Sequence, residues 1–332
     1  MAQTPRLKIV IGDYGHTRAL KSGAVPIAGV AAEFVQVVPI IGAFRRMVRD
    51  LEFDVCEMAP TTYMIARALG APFVALPIFL MRRFHHGGFV VRPDSGIKVP
   101  KDLEGKKVGV RAYSVTTAVW TRGIFVNEYG LDSAKVTWVV DDEEHVTTLQ
   151  LPPNVVHAPD GKSLQSIMKA GEIQAGFTGP AGVGRAGPPI SGWDKASQVA
   201  AATDTYPELI ANVEQVEADW FRRTGIYPIH GLIAVKHEHI KRHPWLPRSL
   251  MDAFVAAKQP YLDALKAGPG AGSGDRPEDR RYRGFLSLMS DPLPYGMVAN
   301  RPSIEALVTY SLQQKLIPSR PQRDQVFVEI DP

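Results

Sequence analysis

The sequence predicts an α/β protein of two lobes joined by two hinge segments, with a ligand site in the cleft between them. Three observations lead there. Short apolar runs alternate with amphipathic stretches along most of the chain, the pattern of strands alternating with helices. The 332 residues exceed the ~100–200 of one ordinary domain. The chain also crosses from one α/β unit to the next near Arg83–His86 and returns near Lys236. Two crossings make a discontinuous first lobe and a cleft.

The elements follow in order. Leu7–Gly12 is a short apolar strand, and Ala32–Val38, with Phe34, Gln36 and Val38 in alternation, is a second. Gly42–Asp50 places Phe44, Met47, Val48 and Leu51 along one helical face. Asp54–Met58 is a strand, Thr61–Leu69 a helix with Thr61 near its cap, and Phe73–Met81 a strand. In the second unit Gly88–Arg92 is a strand ending at the turn signal Pro93-Asp94-Ser95-Gly96. A helical turn at Pro100–Leu103, strand Lys107–Arg111, helix Val115–Tyr129 and strand Val136–Val140 come next. Leu164–Lys169 is helical, Ala175–Thr178 a short strand, and Glu208–Arg223 a helix with Leu209, Val213, Val216 and Trp220 in register. Gly231–Val235 is a strand suited to pair with Gly88–Arg92. Leu250, Phe254, Ala257, Tyr261 and Leu265 mark a helix, Gly268–Pro277 reads as a mobile loop, and Asn300–Leu316 is the last helix. Lobe 1 is thus assigned 1–85 and 236–332, and lobe 2 is assigned 86–235.

Composition excludes several classes. Hydrophobic residues make 45% and charged residues 22% of the chain, which is globular and not disordered. Lys and Arg number 38 against 34 Asp and Glu, a net charge of +4. No run of five basic residues occurs, so a nucleic-acid footprint is not supported, and the mild positive field suits a small anion. No segment approaches ~18 uninterrupted apolar residues, so no membrane span is expected. The apolar run at Leu7–Ile11 is too short for a signal-peptide core, and a cytoplasmic protein is expected. Cys56 is the only cysteine, which excludes an internal disulfide. Within Phe53-Asp54-Val55-Cys56 it reads as a buried thiol.

Several blocks together resemble the 4,5-dihydroxyphthalate decarboxylase family. They are Gly12-Asp13-Tyr14 with Thr17-Arg18-Ala19-Leu20, Phe53-Asp54-Val55 with Glu57-Met58, and Ala118-Val119-Trp120 with Arg122-Gly123-Ile124. Thr224-Gly225-Ile226-Tyr227-Pro228-Ile229, His243-Pro244-Trp245 with Ser249-Leu250, and Pro294-Tyr295-Gly296 with Asn300-Arg301 complete the set. The resemblance implies a type II periplasmic solute-binding scaffold turned into a cytoplasmic enzyme. It also implies loss of one carboxylate from 4,5-dihydroxyphthalate to give protocatechuate. The family's Pro-Glu-Tyr is Arg111-Ala112-Tyr113 here, its Gly-Arg pair gives way to Asp141-Asp142-Glu143-Glu144-His145-Val146, and its histidine after the Tyr227 block stands one place away, at His230. These departures fall on lobe 2, so a close analogue is an open alternative substrate.

Such a reaction needs no redox cofactor. A hydroxyl para to the departing carboxylate pushes electrons into the ring, and a general acid protonates the carbon that loses CO2. Arginines should hold the carboxylate that stays, because clamping the departing one would stabilise the ground state. His85 and His86, past a strand end at the hinge, are the acid candidates. Consecutive side chains on extended backbone face opposite ways, so one of them is expected in the cleft. His86 matches the family histidine. His16 is a further candidate. Arg18 and Arg82 are the carboxylate clamps. Thr61 and Thr62, and Ser114, Thr116 and Thr117, open helices straight after strands, where hydroxyls and free N–H groups form an anion site. Tyr113 can bond a catechol oxygen, and His230 falls where the chain returns to lobe 1. Trp120 reads as core.

No metal is expected. His237, His239 and His243 lie among Lys236, Lys241 and Arg242 on a solvated face. Gly182, Gly184 and Gly187 spell a dinucleotide fingerprint, but Pro188-Pro189 blocks the helix it requires. The expected partner is a small aromatic carboxylate, with association between copies left open. The competing reading is a solute-binding protein for a small carboxylate, acting without chemistry.

Overall fold

Two five-stranded sheets, one per lobe, carry the molecule. The computed structural model describes residues 4–184, 205–269 and 276–332. Its strands are β1 (Arg6–Val10), β2 (Ala31–Phe34), β3 (Val55–Met58), β4 (Phe73–Arg82), β5 (Phe89–Val91), β6 (Lys107–Val110), β7 (Thr137–Val140), β8 (Val155–His157), β9 (Ala175–Phe177) and β10 (Ile229–Lys236). The first sheet runs β2-β1-β3-β10-β4 and the second β5-β9-β6-β7-β8. This is the bilobed arrangement that the alternating pattern predicts, in the type II form that the family resemblance implies.

One assignment needs correction. Gly231–Val235 does not pair with Gly88–Arg92. Strand β10 lies in the first sheet, antiparallel to both neighbours, with Leu232 opposite Met58 and Ala234 opposite Ala75. The return crossing therefore precedes Ile229, and residues 229–235 belong with lobe 1. Leu232–Val235 are wholly buried, so this backbone needs hydrogen-bond partners on both edges. Strands β3 and β4 supply them. Strand β5 is already flanked by β9 on one side. On its other side Val91 N–H donates to Pro207 O (3.0 Å) and Leu209 N–H to Phe89 O (2.9 Å). The same bonds explain why the helix expected over Glu208–Arg223 begins only at Val213.

Other boundaries shift modestly. The second strand stops at Phe34, since its partner β1 ends just beyond the Ile9–Phe34 pair. Strand β8 and the helix Pro277–Phe285 carry weak signals and are additions. His237–Arg242 is a helix, and His239 Nε2 lies 2.8 Å from Asp54 Oδ1. Of the expected loop Gly268–Pro277, residues 270–275 lie outside the described residues, as does Gly187. No helix among the described residues is long and apolar enough to cross a membrane.

The lobes are tied by buried polar bonds across a continuous core. Met58 and Phe79 of lobe 1 share one apolar cluster with Val108 and Trp120 of lobe 2. The Trp120 indole N–H donates to Ile229 O at 2.8 Å. The buried Arg122 guanidinium stacks on the Tyr113 ring at 3.9 Å, donates to Tyr113 O, and donates through Nε to Gln314 Oε1 at 2.7 Å. Thr61 Oγ1 donates to Ser114 O at 2.7 Å.

The helices Thr116–Tyr129 and Arg301–Gln313 meet at Gly123, where an added Cβ would overlap the Tyr310 ring. Gly123→Ala should therefore lower unfolding free energy by about 1–2 kcal/mol, overpacking outweighing the better helix propensity of alanine. Urea denaturation measures it, and an unchanged or raised midpoint would show that the ring yields freely.

Candidate functional site

A cavity of about 450 Å³ lies where the lobes meet at the crossing segments. Its walls come from both lobes and from the hinge stretch Arg83–Gly88. The volume falls in the range of small-molecule sites. Ile40, Ile41, Phe44, Met81, Phe84 and Val115 supply an apolar surround. The helix Thr116–Tyr129 starts at the cavity wall, with Val115, Thr116 and Thr117 lining it. Its N-terminus favours an anion there.

The end of β4 delivers two arginines to opposite surroundings, because side chains alternate along a strand. Arg83 lines the cavity. Its Nη2 donates to Thr117 Oγ1 at 2.7 Å and to His230 Nε2 at 3.1 Å. A guanidinium can only donate, so His230 Nε2 accepts and Nδ1 carries the proton. No carboxylate pairs with Arg83 among the described residues. Burial and the nearby Arg281 lower its pKa to about 10, which leaves it cationic at neutral pH. His85 stacks obliquely on His230, with ring centres 5.2 Å apart. Burial, then the charge of Arg83, holds both imidazoles well below their ordinary pKa, so both are neutral.

A second polar wall holds Arg111 and His145. Thr62 Oγ1 lies 3.0 Å from His145 Nδ1. Burial and the charges of Arg111, Arg45 and Arg49 keep His145 neutral as well. Tyr14 and Glu57 line the cavity as well. Glu57 Oε2 accepts from Gly12 N–H at 2.7 Å, and Oε1 accepts from the Tyr14 hydroxyl at 2.8 Å. Burial raises the Glu57 pKa from 4.5 to about 7, against the opposing effects of these two donors and of Lys21.

The residues expected from sequence divide accordingly. His85, Thr62, Ser114, Thr116, Thr117 and His230 line the cavity. The Ser114 hydroxyl is engaged by Glu144, and Thr116 Oγ1 by Thr61 at 2.9 Å. Six others do not reach it. His86 faces away, its ring packed edge-on against Trp220 at 5.0 Å and its backbone N–H on Glu217 Oε1 at 3.2 Å. Arg82 is core: it donates to Tyr227 O (2.7 Å) and Asn300 Oδ1 and lies against the Phe79 and Tyr227 rings. Arg18 is exposed on a short helix. His16 is buried in a stack with Tyr14, and burial lowers its pKa to about 3. Thr61 faces Ser114 and Thr116 as a tie between lobes. Tyr113 lies under Arg122, its hydroxyl 3.4 Å from Gln314 O.

Arg83, Glu57, Tyr14, Arg111 and His145 are the site residues that sequence reasoning missed. Glu57 had a readable signal, a carboxylate inside the apolar run Val55-Cys56-Glu57-Met58. For the Arg82-Arg83 pair, alternation puts one inward and one outward without saying which. Among the described residues no group of three or more His, Cys, Asp and Glu could hold a metal ion.

The architecture and the cleft define the class, a type II binding-protein scaffold with a small-molecule site between its lobes. A profile of the ABC-transporter phosphonate periplasmic substrate-binding protein family matches residues 29–186. The fold resembles a periplasmic sulfonate-binding protein from Methylobacillus flagellatus KT (TM-score 0.51, 14% identity, 98% of this chain and 92% of that one). It also resembles the alkanesulfonate-binding protein of Xanthomonas axonopodis pv. citri bound to MOPS (TM-score 0.50, 12% identity, 98% and 99%). In sequence the chain is 32% identical over 270 residues to a 4,5-dihydroxyphthalate decarboxylase of Comamonas testosteroni, covering 78% of this chain and 77% of the relative. It is 34% identical over 177 residues to the enzyme of that name from Pseudomonas putida, covering 51% and 68%. The chain belongs to the 4,5-dihydroxyphthalate decarboxylase family, whose named members are carboxy-lyases.

The Glu57 environment has a thermodynamic consequence. Its folded pKa is raised, so the neutral acid is the form the fold favours. That contribution is fully present below about pH 4.5 and is lost as pH rises through about 7. Glu57→Gln removes the titration. The stability of the native chain relative to the variant should fall by about 3 kcal/mol between pH 4.5 and 8. Denaturation at several pH values measures this difference, and a constant difference would place the Glu57 carboxyl in an environment that does not penalise its charge.

Proposed function

We propose that this chain decarboxylates a hydroxylated aromatic acid, 4,5-dihydroxyphthalate or a close analogue, by ring protonation and loss of CO2. The observation that carries this reading is Arg83, a half-buried guanidinium on the cavity wall with no carboxylate partner among the described residues. A charge partly withdrawn from water without a counter-ion is costly. An anionic substrate group beside Thr117 and His230 would relieve that cost. In this reading Arg83 holds the carboxylate that stays. The apolar surround near Phe84 and Met81 leaves the departing group poorly solvated, which favours its conversion to neutral CO2.

The catechol end is read from the other wall. Arg111, the neutral His145 and Thr62 supply polar groups there, and a substrate with oxygens at both ends of one ring spans the two walls. Lysis of the bond needs a hydroxyl para to the departing carboxylate, which 4,5-dihydroxyphthalate has. The two named relatives support the enzymatic reading over simple binding. The sulfonate-binding neighbours share only the scaffold.

Incubation of the purified protein with 4,5-dihydroxyphthalate should yield protocatechuate, followed by chromatography. In D2O the product should carry deuterium at the carbon that lost its carboxylate. Tight binding with no product would instead favour a solute-binding protein. Arg83→Gln should lower kcat/KM by at least about 30-fold, equivalent to about 2 kcal/mol for removing one partner of a buried charge pair. Arg82→Gln should act chiefly on thermal stability. Equal effects of the two changes on affinity would remove Arg83 from the clamp.

A further inference from the structure

We propose that Glu57 is the acid that delivers a proton to the ring carbon losing its carboxylate, with Tyr14 as its positioning residue. This assignment rests on the decarboxylase reading above.

The cavity wall contains a single carboxyl among the described residues, Glu57 on β3. The other candidates for acid are unsuited. His85, His230 and His145 are neutral imidazoles, whose remaining N–H is a very weak acid. The Tyr14 phenol is itself pushed well above its ordinary pKa by burial and by Glu57. Glu57 alone combines a place on the wall with an acid form that is populated near neutral pH.

The surroundings fit an acid that must become an anion in the reaction. Gly12 N–H and the Tyr14 hydroxyl each donate to one carboxylate oxygen, so the negative charge meets fixed donors as it forms. The backbone makes room for this pair. A Cβ at Gly231 would stand 2.9 Å from Glu57 Oε1, and one at Gly12 would overlap the Tyr14 ring. The blocks Gly12-Asp13-Tyr14 and Glu57-Met58, distant in sequence, thus converge on one hydrogen bond. Burial sets the charge of Glu57 against Gly12 N–H, Tyr14 and Lys21 from the N-terminal segment, while Cys56 beside it and Tyr295 from the C-terminal part face its carboxylate and are held neutral by burial and by that charge. Lys21 is itself paired with Asp13 at 3.2 Å.

The step balances without a redox partner. The O–H bond of Glu57 breaks and a C–H bond forms at the ring carbon. The electrons of the carbon–carboxylate bond then return to the ring, restoring aromaticity, and CO2 departs. Water reprotonates the Glu57 carboxylate before the next turnover.

The test compares the native chain with Glu57→Gln, Glu57→Asp, Tyr14→Phe and His86→Gln on 4,5-dihydroxyphthalate. Glu57→Gln should lower kcat by about 10²–10⁴-fold. Its affinity for protocatechuate, read by calorimetry, should change by no more than about threefold. The native kcat should fall as pH rises through about 7, and Tyr14→Phe, which removes a donor to the carboxylate, should move that fall to higher pH. Glu57→Asp should keep a reduced rate with a displaced profile. His86→Gln should turn over near the native rate. A near-native rate for Glu57→Gln overturns the assignment and leaves the decarboxylase reading standing. If Glu57→Gln fails to fold, an unmoved pH profile in Tyr14→Phe overturns it equally. Absence of product from the native chain on any hydroxylated aromatic acid defeats both.

Discussion

The insertion of β10 between β3 and β4 is the constraint on which the site depends. Ile229–Lys236 enters a sheet whose flanking strands are already buried, and its register pairs Ile229 with Arg82 and Gly231 with Met81. The register is irregular at this point. A bulge re-aims side chains, and here His230 turns to meet Arg83, 3.1 Å away. The same strand places Gly231 beside Glu57. One antiparallel insertion thus brings together the guanidinium, the imidazole and the space for the carboxyl. Trp120, bonded to Ile229 O, attaches lobe 2 to the strand at the same level.

Electrostatics follows from that packing. The cavity collects guanidinium groups, and they act on one another's neighbours. Burial, then the charge of Arg83, keeps His85 and His230 neutral, and burial with the charges of Arg111, Arg45 and Arg49 keeps His145 neutral. Neutral histidines can read oxygens by hydrogen bonding without adding charge. Glu57 is the exception in sign, and burial keeps its carboxyl protonated further up the pH scale than a surface glutamate. In the proposed decarboxylation, fixed cations and one protonated acid would serve an anion that must accept a proton. Binding proteins on this scaffold need only the first of these features.

Much of the fold was legible in the sequence because local patterning carried it. The apolar runs of β1, β3, β4, β6 and β7 and the helices over 42–50, 61–69 and 115–129 lie close to where periodicity puts them. Beyond the weakly signalled β8 and the helix Pro277–Phe285, the failures concern partners more than elements. Nothing local tells β10 whether to join β5 or β4, and nothing local tells residues 207–209 to line β5 and delay a helix. The site was legible only in part for the same reason. Thr62, Ser114, Thr116 and Thr117 follow from strand-to-helix junctions, and His85 and His230 from their nearness to the crossings. Arg82 and His86 were adjacent to the right residues but faced away, because a strand end turns successive side chains to opposite sides.

Local patterning in the sequence thus carried a two-lobed α/β scaffold, and its blocks carried the family. These depend on periodicity, composition and blocks of neighbouring residues, which are local properties. Tertiary structure alone decided which arginine lines the cavity, which histidines stay neutral, and that Tyr14 and Glu57 share a hydrogen bond at the cavity wall. Those outcomes depend on strand order, on the irregular register at His230 and on burial, which arise only when distant segments pack together.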